Sequence, residues 1–271
     1  HSAYVGNHVK SLHISVEQSL KKLRTAYIDI LYVHWWDYTA SIEEVTNGLH
    51  ALVLAGEEVL AHIDHAAQGI SDTPAWVVSS ANRYPRMSHQ TPVAVYQGSW
   101  SVLQRDFERD IIPMEGMALA PWNVLTAGRI RMDKEERRRL EWGGMGRLLL
   151  TDEWRRNETG RKVAKVLEEV AAEVGAKSIQ AIAIAYVMQK VPYVFPIIGG
   201  RKVEHLHANL QALEIALTNE HFKRIESAVP FDPGFPSNIL ADGTDYNFSY
   251  RSAGVYDPWP LRQAIRPSPS Q

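Results

Sequence analysis

Gly199, Gly200, Arg201, Lys202 and His205 combine the parts of an anion site. Paired glycines after a short apolar run let backbone approach a phosphate closely, and the start of the helix that follows offers N–H groups without partners. Arg201, Lys202 and His205 add charge, with a solvated basic face at a helix start as the plainer reading. His34 closes the apolar run Ile28-Asp29-Ile30-Leu31-Tyr32-Val33, whose β-branched and aromatic residues read as a buried parallel strand. In parallel α/β folds the carboxyl ends of the strands carry the chemistry, so His34 is a site candidate, with a satisfied core histidine as the alternative. His62, Asp64 and His65 offer metal-ligand types at close spacing. In a strand, however, His65 opposes the other two, and no second carboxylate cluster accompanies them.

The composition of the 271-residue chain limits the partners. At 45% hydrophobic and 22% charged it falls in the ordinary globular class and is long enough to bury a sizeable core as one domain, residues 1–271. A formal net charge of −2 gives no global basic field, which disfavours nucleic acid and anionic membrane and confines any phosphate site to a local cluster. With no cysteine there is neither disulfide nor thiolate chemistry, in keeping with a cytoplasmic enzyme. No apolar run approaches a membrane span of about 20 residues. The first residues, His1-Ser2-Ala3-Tyr4, show neither a methionine nor a signal-type run, so the chain is expected to begin inside a longer protein or at a processing boundary.

Taken in order, helix and strand alternate. Ser15 with Gln18, and Ser41 with Glu44, form capping boxes ahead of the stripes Val16, Leu20, Leu23 and Ile42, Val45, Leu49, Leu52. Gly69 to Asp72 closes a strand, and Thr73-Pro74 opens a helix. Pro92 to Gln97 is a strand, Asp106 to Ile112 a helix stopped by Pro113, and Met117 to Pro121 another strand. Asn123 to Gly160 is a polar excursion with short helices, a lid or a solvated face. Helices follow from Val163 to Gly175 and from Ser178, then a strand over Tyr193 to Ile198. A helix with Val203, Leu206 and Leu210 facing inward comes next, then one capped by Thr218 and a tail from Pro230, residues 230–271. Strands alternating with helices indicate a parallel α/β protein of (β/α)8 TIM-barrel type. About five of the eight βα units are read here, an incomplete barrel.

Several stretches resemble the aldo-keto reductases, in particular the fungal branch of aryl-alcohol dehydrogenases and norsolorinic acid reductases. They are Tyr-Val-Gly-Asn-His from Tyr4, Asp-Ile-Leu-Tyr-Val-His-Trp-Trp-Asp from Asp29, Gly-Ile-Ser-Asp-Thr-Pro-Ala-Trp-Val-Val from Gly69, Arg-Asp-Phe-Glu-Arg-Asp-Ile-Ile-Pro-Met from Arg105, and Pro-Ile-Ile-Gly-Gly-Arg-Lys-Val-Glu-His-Leu from Pro196. The resemblance implies an NADP-dependent barrel enzyme that passes hydride between nicotinamide and a carbonyl or alcohol carbon. It implies that His34 orients and polarises the carbonyl, and that Ser71, Asp72 and Gln97 hold the nicotinamide carboxamide. Asp72 stands where most of the family has asparagine. Trp122 takes the place of an aromatic ring stacked on the nicotinamide. Leu125, Ala127 and Gly128 lie along the pyrophosphate, Asn209 against the adenine, and the Gly199–Lys202 turn with His205 at the 2′-phosphate, which favours NADP(H) over NAD(H).

The resemblance also has gaps. Gly56 to Gly69 is longer than the family's link and looks inserted, which gives His62, Asp64 and His65 a simpler explanation than a metal. Pro113 to Met117 is shorter than the family's link. The family's catalytic tyrosine, its lysine and the paired aspartate lie on strands earlier than those present in this chain, so slow carbonyl reduction is expected, with unpaired edges that favour self-association. A noncatalytic NADP-binding module and a metal-dependent hydrolase are the alternatives. Aromatic aldehydes or polyketide ketones are the substrates that the branch implies.

Overall fold

The computed structural model describes residues 5–55, 67–114, 116–143, 155–240, 246–257 and 262–268. His62, Asp64, His65 and most of the expected insertion lie outside them. The chain forms two compact units, His1–Gly98 with Met114–Ala118, and Ser99–Pro113 with Leu119–Gln271.

In the first unit, α1 (Val9–Leu23), β1 (Ile30–His34), α2 (Ile42–Ala55), β2 (Ala67–Ser71), α3 (Ala75–Met87) and β3 (Val93–Ser99) alternate along the chain. β1 pairs in parallel with β2, and β2 with β3. Alternation puts Leu31 on the sheet face that meets Val16 and Leu20 of α1 and Leu52 of α2, the apolar cluster that fastens these helices to the strand. Val33 and Ile70, with the same alternation, are buried. Ser41 caps α2 as expected, its Oγ accepting from the Glu44 N–H at 3.1 Å. The capping box expected at Ser15 does not start a helix. α1 begins at Val9, because the His8 ring nitrogen Nδ1 accepts from the Ser11 N–H and serves as the cap, which leaves Ser15 in the helix interior.

The second unit is built on β4 (Ala118–Trp122), α4 (Asp133–Glu141), α5 (Glu158–Val174), α6 (Ile179–Lys190), α7 (Val203–Leu210) and α8 (Asn219–Ala228), with the short α9 (Ser237–Leu240) and α10 (Phe248–Ala253) in the tail. α6 is apolar on all sides and buried along nearly its whole length, as a central helix must be. Its Ser178 cap, the Gly175 terminator of α5 at φ 71° and the Thr218 cap of α8 fall where the residue types indicate.

Three expectations are corrected. The strand over Tyr193 to Ile198 is reduced to a parallel bridge between Val194 and Leu119, so that four strands are assigned among the described residues. The segment still runs along β4, with Phe195 and Ile197 donating to the Leu119 and Pro121 carbonyls, but Pro121 has no N–H to return and the ladder breaks. The helix over Asp106 to Ile112 is a single 3-10 turn, Asp106–Glu108. Glu108 is drawn inward there to bind Arg105. The α7 residues Val203, Leu206 and Leu210 are exposed, at 67%, 53% and 46%. Val203 and Leu206 line an open cleft and Asn209 is the buried residue of α7.

Glu108 anchors a buried ion network. Arg105 donates to both its oxygens at 2.8 and 2.6 Å, and Lys190 lies 3.6 Å away. Glu226 pairs with Lys190 and, at 3.4 Å, with Arg105. Burial pushes the Glu108 carboxyl up, but the Arg105 hydrogen bonds, the charges of Lys190 and Arg105 and the Trp100 N–H outweigh it, and its pKa is lowered. A lowered folded-state value means stability that is complete above the ordinary carboxylate range and is lost as pH falls through the folded value. Glu108→Gln is therefore expected to cost about 3 kcal/mol at neutral pH by leaving Arg105 with less compensation. It should also flatten the acid limb of a denaturation series followed by circular dichroism.

Candidate functional site

The parallel register aligns three of the residues that the resemblance places at a nicotinamide, His34, Ser71 and Gln97. His34 pairs with Ser71, and Ser71 with Gln97, one row across the carboxyl ends of β1, β2 and β3. The row before it pairs Tyr32 with Gly69 and Gly69 with Val95, on the same face of the sheet by alternation. Ser71 is buried, whereas His34 has 64% of its side chain exposed. The His34 Nε2 lies 3.5 Å from Asp72 Oδ2. Ser71 Oγ donates to that same oxygen at 3.2 Å, and the Asp72 N–H donates to the Gln97 carbonyl at 3.0 Å. A histidine, a hydroxyl and a primary amide thus stand in one row with a carboxylate beside the histidine, a set able to bind an amide group and to donate to a carbonyl oxygen. Asp72 holds φ 47°, a left-handed backbone uncommon outside glycine.

Tyr32 was not marked by the sequence pattern. It stands two residues before His34 and is hydrogen-bonded to Gln97; its burial raises its pKa and the Gln97 contact partly offsets that. The alternation of β1, which puts it on the face of His34, is the signal that could have found it. Its ring lies across Gly69, where a Cβ would come within 2.4 Å of it.

In the second unit Trp122 ends β4, and its carbonyl accepts from the Trp100 N–H at 3.2 Å. The turn that follows holds Asn123, Thr126 and Ala127 at φ 60°, 51° and 52°, and Gly128 at 83°. Such a run of left-handed residues is strained and persists only where its surroundings hold it. Here Gly128 donates to the Leu125 carbonyl at 2.9 Å, and the buried Arg131 donates to the Gly128 carbonyl at 2.6 Å while pairing with Glu136. Sequence reasoning missed Arg131, which looks like one more surface charge in a polar stretch.

Because Val194 is level with Leu119 and Ile197 donates to the Pro121 carbonyl, the parallel run brings Ile197 level with Trp122 and leads two residues on into Gly199. Gly199, Gly200, Arg201, Lys202, Leu206 and Asn209 then line an open cleft of about 390 Å³ at the start of α7. Lys202 is the N-cap without a side-chain cap, so the first amides of α7 have no such partner. His205 serves the turn itself: its Nδ1 accepts from the Arg201 N–H at 3.4 Å. Its Cβ leaves no room for a side chain at Gly200, only 2.7 Å from where one would start. Arg139 of α4 is held below the usual guanidinium range by burial and by the nearby charges of Arg131 and Arg201, a local excess of positive charge that an anion would relieve. The residues present therefore fit a phosphate-bearing dinucleotide.

Residues 1–230 match the Aldo/keto reductase family, and the chain belongs to it. It is 61% identical over 268 residues to an aryl-alcohol dehydrogenase [NADP(+)] of Phanerodontia chrysosporium, covering 97% of this chain and 68% of that protein. A putative aryl-alcohol dehydrogenase of Saccharomyces cerevisiae is 52% identical, over 88% of this chain and 81% of its own. The norsolorinic acid reductase of Aspergillus flavus is 48% identical, over 88% and 58%. Among solved structures, a thermostable aldo-keto reductase in complex with the inhibitor epalrestat superposes with a TM-score of 0.61 at 27% identity, covering 82% of this chain and 67% of that one. The parallel strands and alternating helices are of the TIM-barrel type seen in that family. No single helix among the described residues is long and apolar enough to cross a membrane.

The close approach of Tyr32 to Gly69 gives a direct check on the row. Gly69→Ala is expected to destabilise the chain by about 1–3 kcal/mol through overpacking. Adding Tyr32→Ala should recover part of the loss, and denaturant unfolding of the two single variants and the double variant measures the coupling.

Proposed function

We propose that the chain is an NADP(H)-dependent oxidoreductase that interconverts an aldehyde or ketone and its alcohol, with aromatic or polyketide-like carbonyl compounds as the substrate class. The observation that carries this reading is the aligned row of His34, Ser71 and Gln97 beside Asp72. Family membership and the NADP(+) in the name of a relative at 61% identity support the cofactor.

When bound, the cofactor supplies or accepts the hydride. His34, its side chain exposed at the end of β1, donates from Nε2 to the carbonyl oxygen and stabilises the charge that grows there as hydride arrives. Ser71, Asp72 and Gln97 offer the donor and acceptor groups that fix one face of a carboxamide. Trp122 provides a flat surface for the nicotinamide ring. Leu125, Ala127 and Gly128 hold the pyrophosphate, Asn209 the adenine, and Gly199, Gly200, Arg201 and Lys202, in the turn braced by His205, the 2′-phosphate. Asp72 accepts where the family's asparagine donates and accepts, so its carboxylate receives the carboxamide N–H groups while Gln97 supplies the donor.

Among the described residues Asp72 and Trp35 lie at His34. With His34 alone as the donor to the carbonyl oxygen, the expected turnover is slow, about 10²- to 10⁴-fold below that of an enzyme with a separate positioned acid. Fast, sustained reduction by a preparation free of host reductases would contradict that assignment, and tight NADPH binding without any reduction would leave a binding module. NADPH is expected to bind more tightly than NADH, and Arg201→Ala with Lys202→Ala should bring the two affinities together, read by fluorescence titration. Equal affinity in the parent chain would remove the basis for the 2′-phosphate assignment.

A further inference from the structure

The loop just after His34 is held by a clasp that reaches back about a full βα unit. Asn7 is buried, at 7% exposure, and its side chain spans the loop. Asn7 Nδ2 donates to the Trp35 carbonyl at 3.0 Å, and its Oδ1 accepts from the Asp37 N–H at 2.9 Å. In return the Asn7 N–H donates to Asp37 Oδ2 at 2.8 Å. Asp37 also accepts from the Thr39 N–H and hydroxyl, each at 2.9 Å. Gly6 completes the contact: at φ 89°, a Cβ there would stand 2.5 Å from Asp37 Oδ2, so no larger residue fits. Burial pushes the Asp37 carboxyl up, but the donors from Thr39, Asn7 and Ala40 outweigh it and hold the group ionised, as a clasp of N–H donors requires.

The constraint falls on Trp35. Its backbone is left-handed, φ 71°, a conformation that a bulky aromatic residue adopts only under restraint. Both of its backbone polar groups are fixed: the N–H donates to the Ser71 carbonyl at 3.2 Å and the carbonyl is the one held by Asn7. The indole has no such hold, being 64% exposed, yet it meets the His34 ring edge-on, centroids 5.3 Å apart and planes at 65°. The imidazole of His34 therefore meets both the Trp35 ring and, through Nε2, the Asp72 carboxylate.

We propose that Asn7, with Gly6 and Asp37, is a positioning residue for His34: the clasp keeps Trp35 left-handed, and the indole so placed restricts the imidazole to the orientation in which Nε2 is available to a carbonyl oxygen. This rests on His34 being the carbonyl donor. Asn7 touches neither substrate nor cofactor in this scheme. It acts through Trp35, and its effect is on the orientation of a ring, which a purely structural role in stability would not produce.

The test uses the full chain with Asn7→Ala, Trp35→Gly and the double variant, and His34→Gln to identify the His34 signal. Glycine accepts φ 71° without strain, so Trp35→Gly removes the indole and keeps the clasp; its exposed side chain keeps folding out of question should Asn7→Ala fail to fold. The first readout is the His34 Cε1–H cross-peak in the NMR spectrum, displaced in the parent chain by the ring current of the indole. It is expected to move in Asn7→Ala toward its place in Trp35→Gly, and not to move further in the double variant. The second is reduction of an aromatic aldehyde with saturating NADPH, where either variant should lower kcat about 10- to 100-fold with NADPH affinity unchanged. A folded Asn7→Ala chain with a stationary cross-peak, in a protein whose activity still needs His34, overturns the clasp alone. So does a His34 signal unmoved by Trp35→Gly. If instead His34→Gln is as active as the parent chain, the catalytic reading of His34 fails, and this proposal fails with it.

Discussion

Parallel pairing of β1, β2 and β3 is the constraint on which the first unit's chemistry depends. Parallel strands all end in the same direction, so one backbone register decides which three side chains share a row: His34, Ser71 and Gln97. A slip of a single residue would exchange that row for its buried neighbours Val33, Ile70 and Tyr96 and turn the polar set toward the helices. The register is secured from the helix side, where Leu31 meets α1 and α2. It is secured again from the site side, where the Tyr32 ring covers Gly69.

Strain gathers at the strand ends and is held there by polar bonds. Trp35, Tyr38 and Asp72 in the first unit, and Asn123, Thr126 and Ala127 in the second, have positive φ. Each of the loops concerned is tied by a buried polar group: Asn7 for the loop after β1, Thr73 for the one after β2, where its hydroxyl donates to the Ser71 carbonyl at 2.9 Å, and Arg131 for the turn after β4. The network of Arg105, Glu108, Lys190 and Glu226 is of another kind, since it joins helical and loop segments of the second unit away from the glycine turn. Buried charge here serves as fastening, whereas Arg201 and Lys202 at the α7 turn line an open cleft and, among the described residues, have no carboxylate partner within 4 Å.

What the sequence made legible follows the range of each interaction. Strand ends, the caps at Ser41, Ser178 and Thr218 and the glycine terminator at Gly175 depend on residues a few places apart, and they stand where the local pattern put them. The same local reasoning failed where a distant partner prevailed. At Asp106 the chain makes a single 3-10 turn whose Glu108 meets Lys190 from far along the chain, and Pro121 broke a ladder that its neighbour strand was otherwise ready to complete. At α7 the apolar stripe was real, but it faces an open cleft and the buried position belongs to Asn209. His8 as a cap, Tyr32 over Gly69 and Asn7 against Asp37 had no signal in spacing alone, the last because its partners are 30 residues apart.

The central claim is that the row at the ends of β1, β2 and β3 serves hydride transfer to a carbonyl carbon. Its most direct test is a single-turnover reaction of the purified chain with an aromatic aldehyde and NADPH deuterated at nicotinamide C4, with the alcohol analysed by mass spectrometry. The account predicts that the alcohol carries deuterium on its carbinol carbon and forms slowly, and more slowly still when His34 is replaced by glutamine. An alcohol without deuterium, or no alcohol at all from a chain saturated with the cofactor, would contradict it.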